Sequence, residues 1–373
     1  MTFVFASFRS RIWAAAIVVP IALSLSALGS PAAGADKISD GQWYLNYLDV
    51  SAAHKISQGE GVRIAVIDTG IDPNHPDIRG SVEPGVDVRQ FPASGDGLTD
   101  DDGHGTSMAS LIVGHGRIRG IAPKATVVSL KYADSVSSSP TAMGSAINWA
   151  VEHGVKVISI SAAHVDRDLV LQQAVEKAIL QDVVIIASAG NKPEKSAIEY
   201  PAAFPGVVAV SGIGSDGQLW SSSVTGPEVL LSAPAKGIST AWRDNRRVVT
   251  DGTSNSAAIV AGMVALIRAK YPTMPATEVI RRLISTATDK GPAGRDSAYG
   301  FGVPNLVAAL TAPAVSASAG RSVAPSQIAP TRIDAPGAEF PLRTALFLGG
   351  GCLTIVILAV GLVVMVVRRR RPE

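Results

Sequence analysis

Val62-Arg63-Ile64-Ala65-Val66-Ile67-Asp68-Thr69-Gly70 is the most informative stretch of the chain for its architecture. Apart from Arg63, Val62 to Ile67 is apolar without alternation, the pattern of a strand buried on both faces. Asp68 and Gly70 close it, so the strand delivers a carboxylate to a turn at its carboxyl end. Similar short runs recur at Thr126–Leu130, Val155–Ile160, Val183–Ala187 and Val207–Val210. Helical spacing separates them at Ala142–Glu152 and at Asp168–Leu180, where Leu169, Val170, Ala174, Val175 and Ala178 form the apolar set. A third helix is expected from about Ser254 to Lys270, stopped by Tyr271-Pro272. Strands alternating with helices predict an α/β domain whose mostly parallel sheet is covered on both faces. In such sheets reactive groups gather at the carboxyl ends of the strands. From about Ser211 to Thr250 the pattern is irregular, and no element is assigned there.

The 373 residues are enough to bury a core of ordinary size. With 47% apolar and 17% charged residues the composition excludes a disordered chain, and the mean hydropathy of +0.27 hints at segments written for lipid. A single cysteine, Cys352, rules out an intramolecular disulfide and any thiolate-cluster metal site. The net charge of +2 comes from the ends: without Arg9, Arg11, Arg368 to Arg371 and Glu373 the remainder carries −3. A mildly acidic body lacks the electrostatic footprint of a nucleic-acid binder.

Three short segments place a reactive side chain among glycines at an element boundary. Asp68 ends the first strand. Asp102-Gly103-His104-Gly105-Thr106 sets an imidazole at the start of a helix, flanked by residues that leave it uncrowded. Asp251-Gly252-Thr253-Ser254-Asn255 puts a hydroxyl at a helix N-terminus, where backbone N–H groups and the positive dipole end favour an oxyanion. Each has a plainer reading: a turn aspartate, a loop histidine, an N-cap serine. Occurring together in one alternating α/β domain, they supply the parts of an acyl-transfer site. Ser254 is the nucleophile, His104 its general base, and Asp68 the group that fixes the imidazole tautomer. Ala187-Ser188-Ala189-Gly190-Asn191 follows an apolar strand, and Asn191 with the Ser254 N–H is assigned to the oxyanion hole. No histidine pair has metal-ligand spacing, and Ser107, close after His104 on the same short helix, is read as packing.

These segments, in the order Asp, His, Asn, Ser, resemble the subtilisin-like serine proteases, or subtilases, over about Trp43 to Leu310. Tyr200-Pro201-Ala202 and Tyr299-Gly300-Phe301-Gly302 are further features of that kind. The resemblance implies a three-layer subtilisin-like fold around a seven-stranded, mostly parallel sheet, with peptide-bond hydrolysis as the activity. It also implies a substrate wall at Ser161, Ala162 and Ala163, with Ser188, Ala189 and Gly190 as further substrate-binding residues, and no cofactor. The chain departs from the pattern in places. Ala258 stands where the family usually has Pro, and Ala163 where it has Gly. The loop Gly114 to Gly120 lacks the asparagines that bind calcium in subtilisin, and Asp77 alone makes no site, so no metal is expected.

Both ends read as membrane signals. Arg9 and Arg11 precede an apolar run from Ile12 to Leu28 and the small residues Ala33-Gly34-Ala35, so 1–35 is read as a cleaved signal peptide. The peptidase domain is placed at 36–310. Only about 26 residues separate Asp36 from the first strand, too few for a folded inhibitory propeptide. Residues 311–343, rich in Ala, Pro and Ser, form a stalk that can reach on the order of 90 Å. Thr344 to Val367 has no charged residue and spans about 36 Å as a helix, enough to cross a bilayer. Arg368 to Arg371 then hold the tail 368–373 in the cytoplasm. A single-pass cell-membrane protein with an extracellular catalytic domain is expected. That architecture resembles the mycosins, membrane-anchored subtilases of type VII secretion, although their usual disulfides are impossible here. Expected partners are a polypeptide substrate, the membrane and a secretion-system membrane complex, with no nucleic acid. The rival reading is a catalytically silent subtilase acting as a structural part of such a complex.

Overall fold

The computed structural model describes residues 37–134 and 137–313. The signal segment, the span and the basic tail lie outside them, as does all of the stalk beyond residue 313. Among the described residues no helix is long and apolar enough to cross a membrane. The strands are β1 (Arg63–Asp68), β2 (Val82–Asp87), β3 (Thr126–Lys131), β4 (Val157–Ile160), β5 (Val184–Ser188), β6 (Val208–Ile213), β7 (Val229–Pro234), β8 (Ile238–Trp242) and β9 (Arg246–Thr250). The helices are α1 (Lys37–Asp40), α2 (Trp43–Tyr47), α3 (Val50–His54), α4 (His104–Val113), α5 (Pro140–Glu152), α6 (Leu169–Leu180), α7 (Thr253–Lys270), α8 (Ala276–Ser285) and α9 (Leu306–Thr311).

Seven strands form one sheet in the order β2-β3-β1-β4-β5-β6-β7, and every adjacent pair is parallel. The expected seven-stranded sheet is therefore present. Successive side chains of β1 go to opposite faces, as strand geometry requires. Ile64 and Val66 join the core under α4 and α7, whereas Ala65 and Ile67 join the core under α5 and α6. Two cores on one sheet make three layers.

The helices begin where local chemistry dictates. Ser139 caps α5 by accepting from the Ala142 N–H, with Pro140 at the first helical position, two residues earlier than expected. Asp168 caps α6 through the Leu171 N–H (2.8 Å). Helix α7 is apolar on nearly all sides and buried along almost its whole length, the signature of a core helix. Each fully buried Ile or Val in it contributes roughly 1.5–3 kcal/mol relative to an exposed one.

The segment left unassigned holds β7, β8, β9 and the end of β6. β8 and β9 pair antiparallel, and Asp244 and Asn245 join them with φ of 61° and 56°. Two consecutive left-handed residues define the turn that suits a tight hairpin, and an Asp-Asn pair tolerates it. β2 also escaped the pattern, because Pro84 interrupts a half-exposed run. Its place at the sheet edge is where a proline is tolerated.

Candidate active site

β1 carries Asp68 to the carboxyl edge of the sheet and buries it, leaving the side chain 4% exposed. A carboxylate there needs donors held in place. Oδ1 accepts the Thr69 N–H (2.8 Å) and faces His104 Nδ1 at 2.7 Å. His104 is the first residue of α4 and its ring is one-third exposed, with 33% of the side chain accessible. The two flanking glycines are obligatory. A Cβ on Gly103, whose φ is 109°, would fall 2.5 Å from Trp242 Cε2, and one on Gly105 would fall 2.0 Å from the Gly70 carbonyl oxygen.

Asp100, which the sequence reading passed over, braces this corner. Its Oδ1 accepts from Thr69 Oγ1 (2.8 Å) and the Gly103 N–H (2.8 Å). Its Oδ2 accepts from the Thr106 N–H (2.9 Å) and Thr106 Oγ1 (2.6 Å). Thr69 Oγ1 in turn accepts the Gly105 N–H (3.0 Å). One buried carboxylate at a helix N-terminus thus ties the end of β1 to the first turn of α4. The only trace in the sequence is an acid four residues ahead of the histidine.

Burial of the His104 imidazole opposes its protonation, but the Asp68 carboxylate outweighs that, with Asp102 and Asp100 adding to it. The net result is a pKa pushed up to about 9.

Ser254 is the second residue of α7 and half-exposed at the mouth of an otherwise buried helix. Its hydroxyl donates to the Ser161 carbonyl (3.3 Å), and Ser161 Oγ donates to the Ser254 carbonyl (3.4 Å). The hydrogen bond to His104 that proton transfer needs is not formed in this conformation. The structure thus brings Asp68 to His104 and Ser161 to Ser254.

Asn191 Oδ1 accepts from the Thr253 N–H (2.9 Å) and from Thr253 Oγ1 (2.9 Å), while Thr253 Oγ1 accepts the Gly190 N–H (3.1 Å). Thr253 thus holds the Asn191 amide oxygen with two bonds. Asn191 Nδ2 and the Ser254 nitrogen lie 3.6 and 3.8 Å from the position a Cβ on Gly252 would take, so two donors flank one small space. Such a pair suits an oxyanion. If this pair serves an oxyanion, Asn191→Ala lowers kcat by roughly 10²–10³ with little change in KM, the loss known for removal of one such donor in subtilisin. Steady-state kinetics on any cleaved peptide checks this.

Of the expected substrate-binding residues, Ser161, Ala162, Ala163 and Gly190 are half-exposed, whereas Ser188 and Ala189 are buried behind the surface. Ser107 is fully buried inside α4, as packing. Ala258 is buried within an unbroken α7.

Asp77 is buried and bound by protein groups. Arg247 grips it with two bonds, Nε to Oδ2 (2.7 Å) and Nη2 to Oδ1 (2.8 Å), and the Arg117 N–H donates to Oδ1 (2.8 Å). Burial would raise the Asp77 pKa, and these donors more than offset it, holding the carboxyl below its ordinary value. Among the described residues no cluster of three or more His, Cys, Asp or Glu side chains is arranged to hold a metal ion. The pair instead fastens the β8–β9 hairpin to the turn after β1. Arg247→Ala leaves a buried carboxylate without its ion-pair partner, held by the Arg117 N–H, and is expected to lower stability by about 3–5 kcal/mol. Urea unfolding checks this.

A model of the subtilase family matches residues 59–302. The chain is 34% identical over 260 residues to subtilisin DY of Bacillus licheniformis, covering 68% of this chain and 92% of that protein. It is 30% identical over 391 aligned positions to mycosin-3 of Mycobacterium tuberculosis, covering 87% and 83%. It is 33% identical to the minor extracellular protease Epr of Bacillus subtilis, but spans only 43% of that longer protein. Among solved structures it is similar to MycP1, described as a serine protease essential to the type VII (ESX-1) secretion system. The TM-score is 0.67 at 32% identity, covering 74% of this chain and 90% of that one.

Proposed function

The chain belongs to the subtilase family of serine proteases, and on that premise we propose that it is a membrane-anchored endopeptidase acting outside the cytoplasm. It cleaves polypeptides through an acyl-enzyme on Ser254 and serves a type VII secretion complex. The observation that carries the catalytic reading is the 2.7 Å contact between His104 Nδ1 and the buried Asp68. That contact leaves Nε2 as the proton acceptor. Ser254 Oγ leaves the Ser161 carbonyl, gives its proton to Nε2 and attacks the scissile carbonyl. The tetrahedral oxyanion settles between Asn191 Nδ2 and the Ser254 N–H. His104 then returns the proton to the departing amine, and water repeats the sequence on the ester. The anchoring rests on the apolar Thr344–Val367 segment and the four arginines after it. The secretion role rests on likeness to MycP1 and mycosin-3.

A pH profile tests the catalytic reading. Only neutral His104 accepts the proton, and its pKa is pushed up to about 9. Below that value kcat/KM on fluorescent casein is expected to rise about tenfold per pH unit, levelling only near 9. An unshifted histidine, with a pKa of about 6.5, would level before pH 8. A plateau already reached at pH 7 would mean that burial of the ring offsets the Asp68 carboxylate, and a flat profile removes His104 as the base.

A further inference from the structure

A cavity of about 650 Å³ opens near the β6 and β7 end of the sheet's carboxyl edge, walled by Trp43 and Trp220. We infer that it takes the leaving-group side of the polypeptide substrate, seating an aromatic or long aliphatic side chain against the two indoles. The occupant's identity rests on the hydrolase reading above; the cavity and its position do not.

Position comes from the strand order. Along the carboxyl edge Asp68 follows β1, Ser161 follows β4, Asn191 follows β5, and the turn that carries Trp220 follows β6. A chain laid past Ser161 and Asn191 therefore meets this cavity next. Three of its wall segments run straight into the site. The segment after Trp220 is bonded to the Asn191 loop, where the Lys192 N–H donates to the Ser222 carbonyl (2.7 Å). Gly237, on a second wall, donates to Asp251 Oδ1 (2.6 Å), three residues before the nucleophile. Val249, on the third, is 48% exposed on the strand that leads into Ser254. Trp220 Cε3 and Thr253 Cγ2 each lie 3.4 Å from the position a Cβ on Gly212 would take, so the indole and the residue before Ser254 border the same glycine.

Trp43, Leu219, Trp220 and Val249 give the cavity apolar surface among polar neighbours. Two lysines, Lys37 and Lys236, are balanced by two aspartates, Asp40 and Asp216, so the cavity favours neither an anion nor a cation. Trp43 is fixed in place: its indole N–H donates to the Lys236 carbonyl (3.0 Å), and its ring meets Tyr47 edge-on at 5.5 Å. A pre-set indole loses little freedom when a side chain packs on it. Binding energy gained there, remote from the reacting carbon, aids the chemistry by holding the leaving amine in line.

The test uses the full chain in detergent. Quenched-fluorescence peptides share one acyl side and carry two residues on the leaving side, or six with Phe or with Ser at the third to fifth positions. In a separate arm, fluorescein-tagged Ala-Ala-Phe-Leu-Phe-Ala and Ala-Ala-Ser-Ser-Ser-Ala are titrated against Ser254→Ala by polarisation. We expect the six-residue Phe peptide to be cleaved with about tenfold higher kcat/KM than the two-residue one. The Phe-bearing tag should bind about tenfold tighter than the Ser-bearing one, and both ratios should fall towards one in Trp220→Ala and in Trp43→Ala. Ratios of one in the parent proteins overturn the inference without reference to any variant, as does a ratio surviving both substitutions. Absence of cleavage with the binding ratio intact counts against the hydrolase reading alone.

Discussion

Ser254→Ala is expected to lower kcat by roughly 10⁶-fold, the magnitude known for removal of the nucleophile in subtilisin. The loss is this large because the triad acts as a unit: His104 has no hydroxyl proton to take, and only the oxyanion donors and binding remain to aid direct attack by water. Stability should change little, since Ser254 is half-exposed and its hydroxyl has only the long bond to Ser161. Single-turnover hydrolysis and thermal unfolding, run side by side, separate the two effects. A variant that keeps more than one-hundredth of the wild-type rate would show that another group carries the reaction.

Asp68→Asn is expected to lower kcat by about 10⁴-fold with the fold retained. The substitution conserves shape, but Oδ1 meets both the Thr69 N–H and the ring, so an amide nitrogen turned to the ring would give up the Thr69 contact and donate to Nδ1. That places the proton on Nε2, where the base must be empty. The same change removes the charge that lifts the His104 pKa, so the acidic limb of the residual activity should move down. A large rate loss without that shift would mean that Asp68 acts only by orientation. An unchanged rate would remove it from the mechanism.

The strands flanking the chemistry were legible because each is buried on both faces and holds a short apolar run, as at Ile64–Ile67 in β1, Val184–Ala187 in β5 and Val208–Val210 in β6. Elements that were missed are written differently. β9 alternates at the surface with two arginines, and β2 carries a proline on the sheet edge. β7 is apolar but short, and sits among irregular connections. Glycine-flanked Asp68, His104 and Ser254 could be read from their own segments, and Asn191 from its place after β5. Residues that act through others could not. Asp100 matters by four donors spread over Thr69, Gly103 and Thr106, and Thr253 by holding the far side of the Asn191 amide. Arg247 meets Asp77 across 170 residues of chain. Such roles depend on folding, and no local spacing encodes them.

Departures from the family pattern near the site are absorbed without visible damage. Ala258 continues α7, where a proline would remove an N–H. Ser161 uses both its carbonyl and its hydroxyl to hold the nucleophile's residue.

Ser254 and His104 should act as one unit at the carboxyl edge of the sheet. Stoichiometric reaction of the full chain with a fluorophosphonate, with the adduct mapped by mass spectrometry, reads this out. One adduct per chain on Ser254, lost in both Ser254→Ala and His104→Ala, is expected. A folded wild-type chain that stays unmodified, or an adduct on another serine, would rule the pair out as the reactive unit.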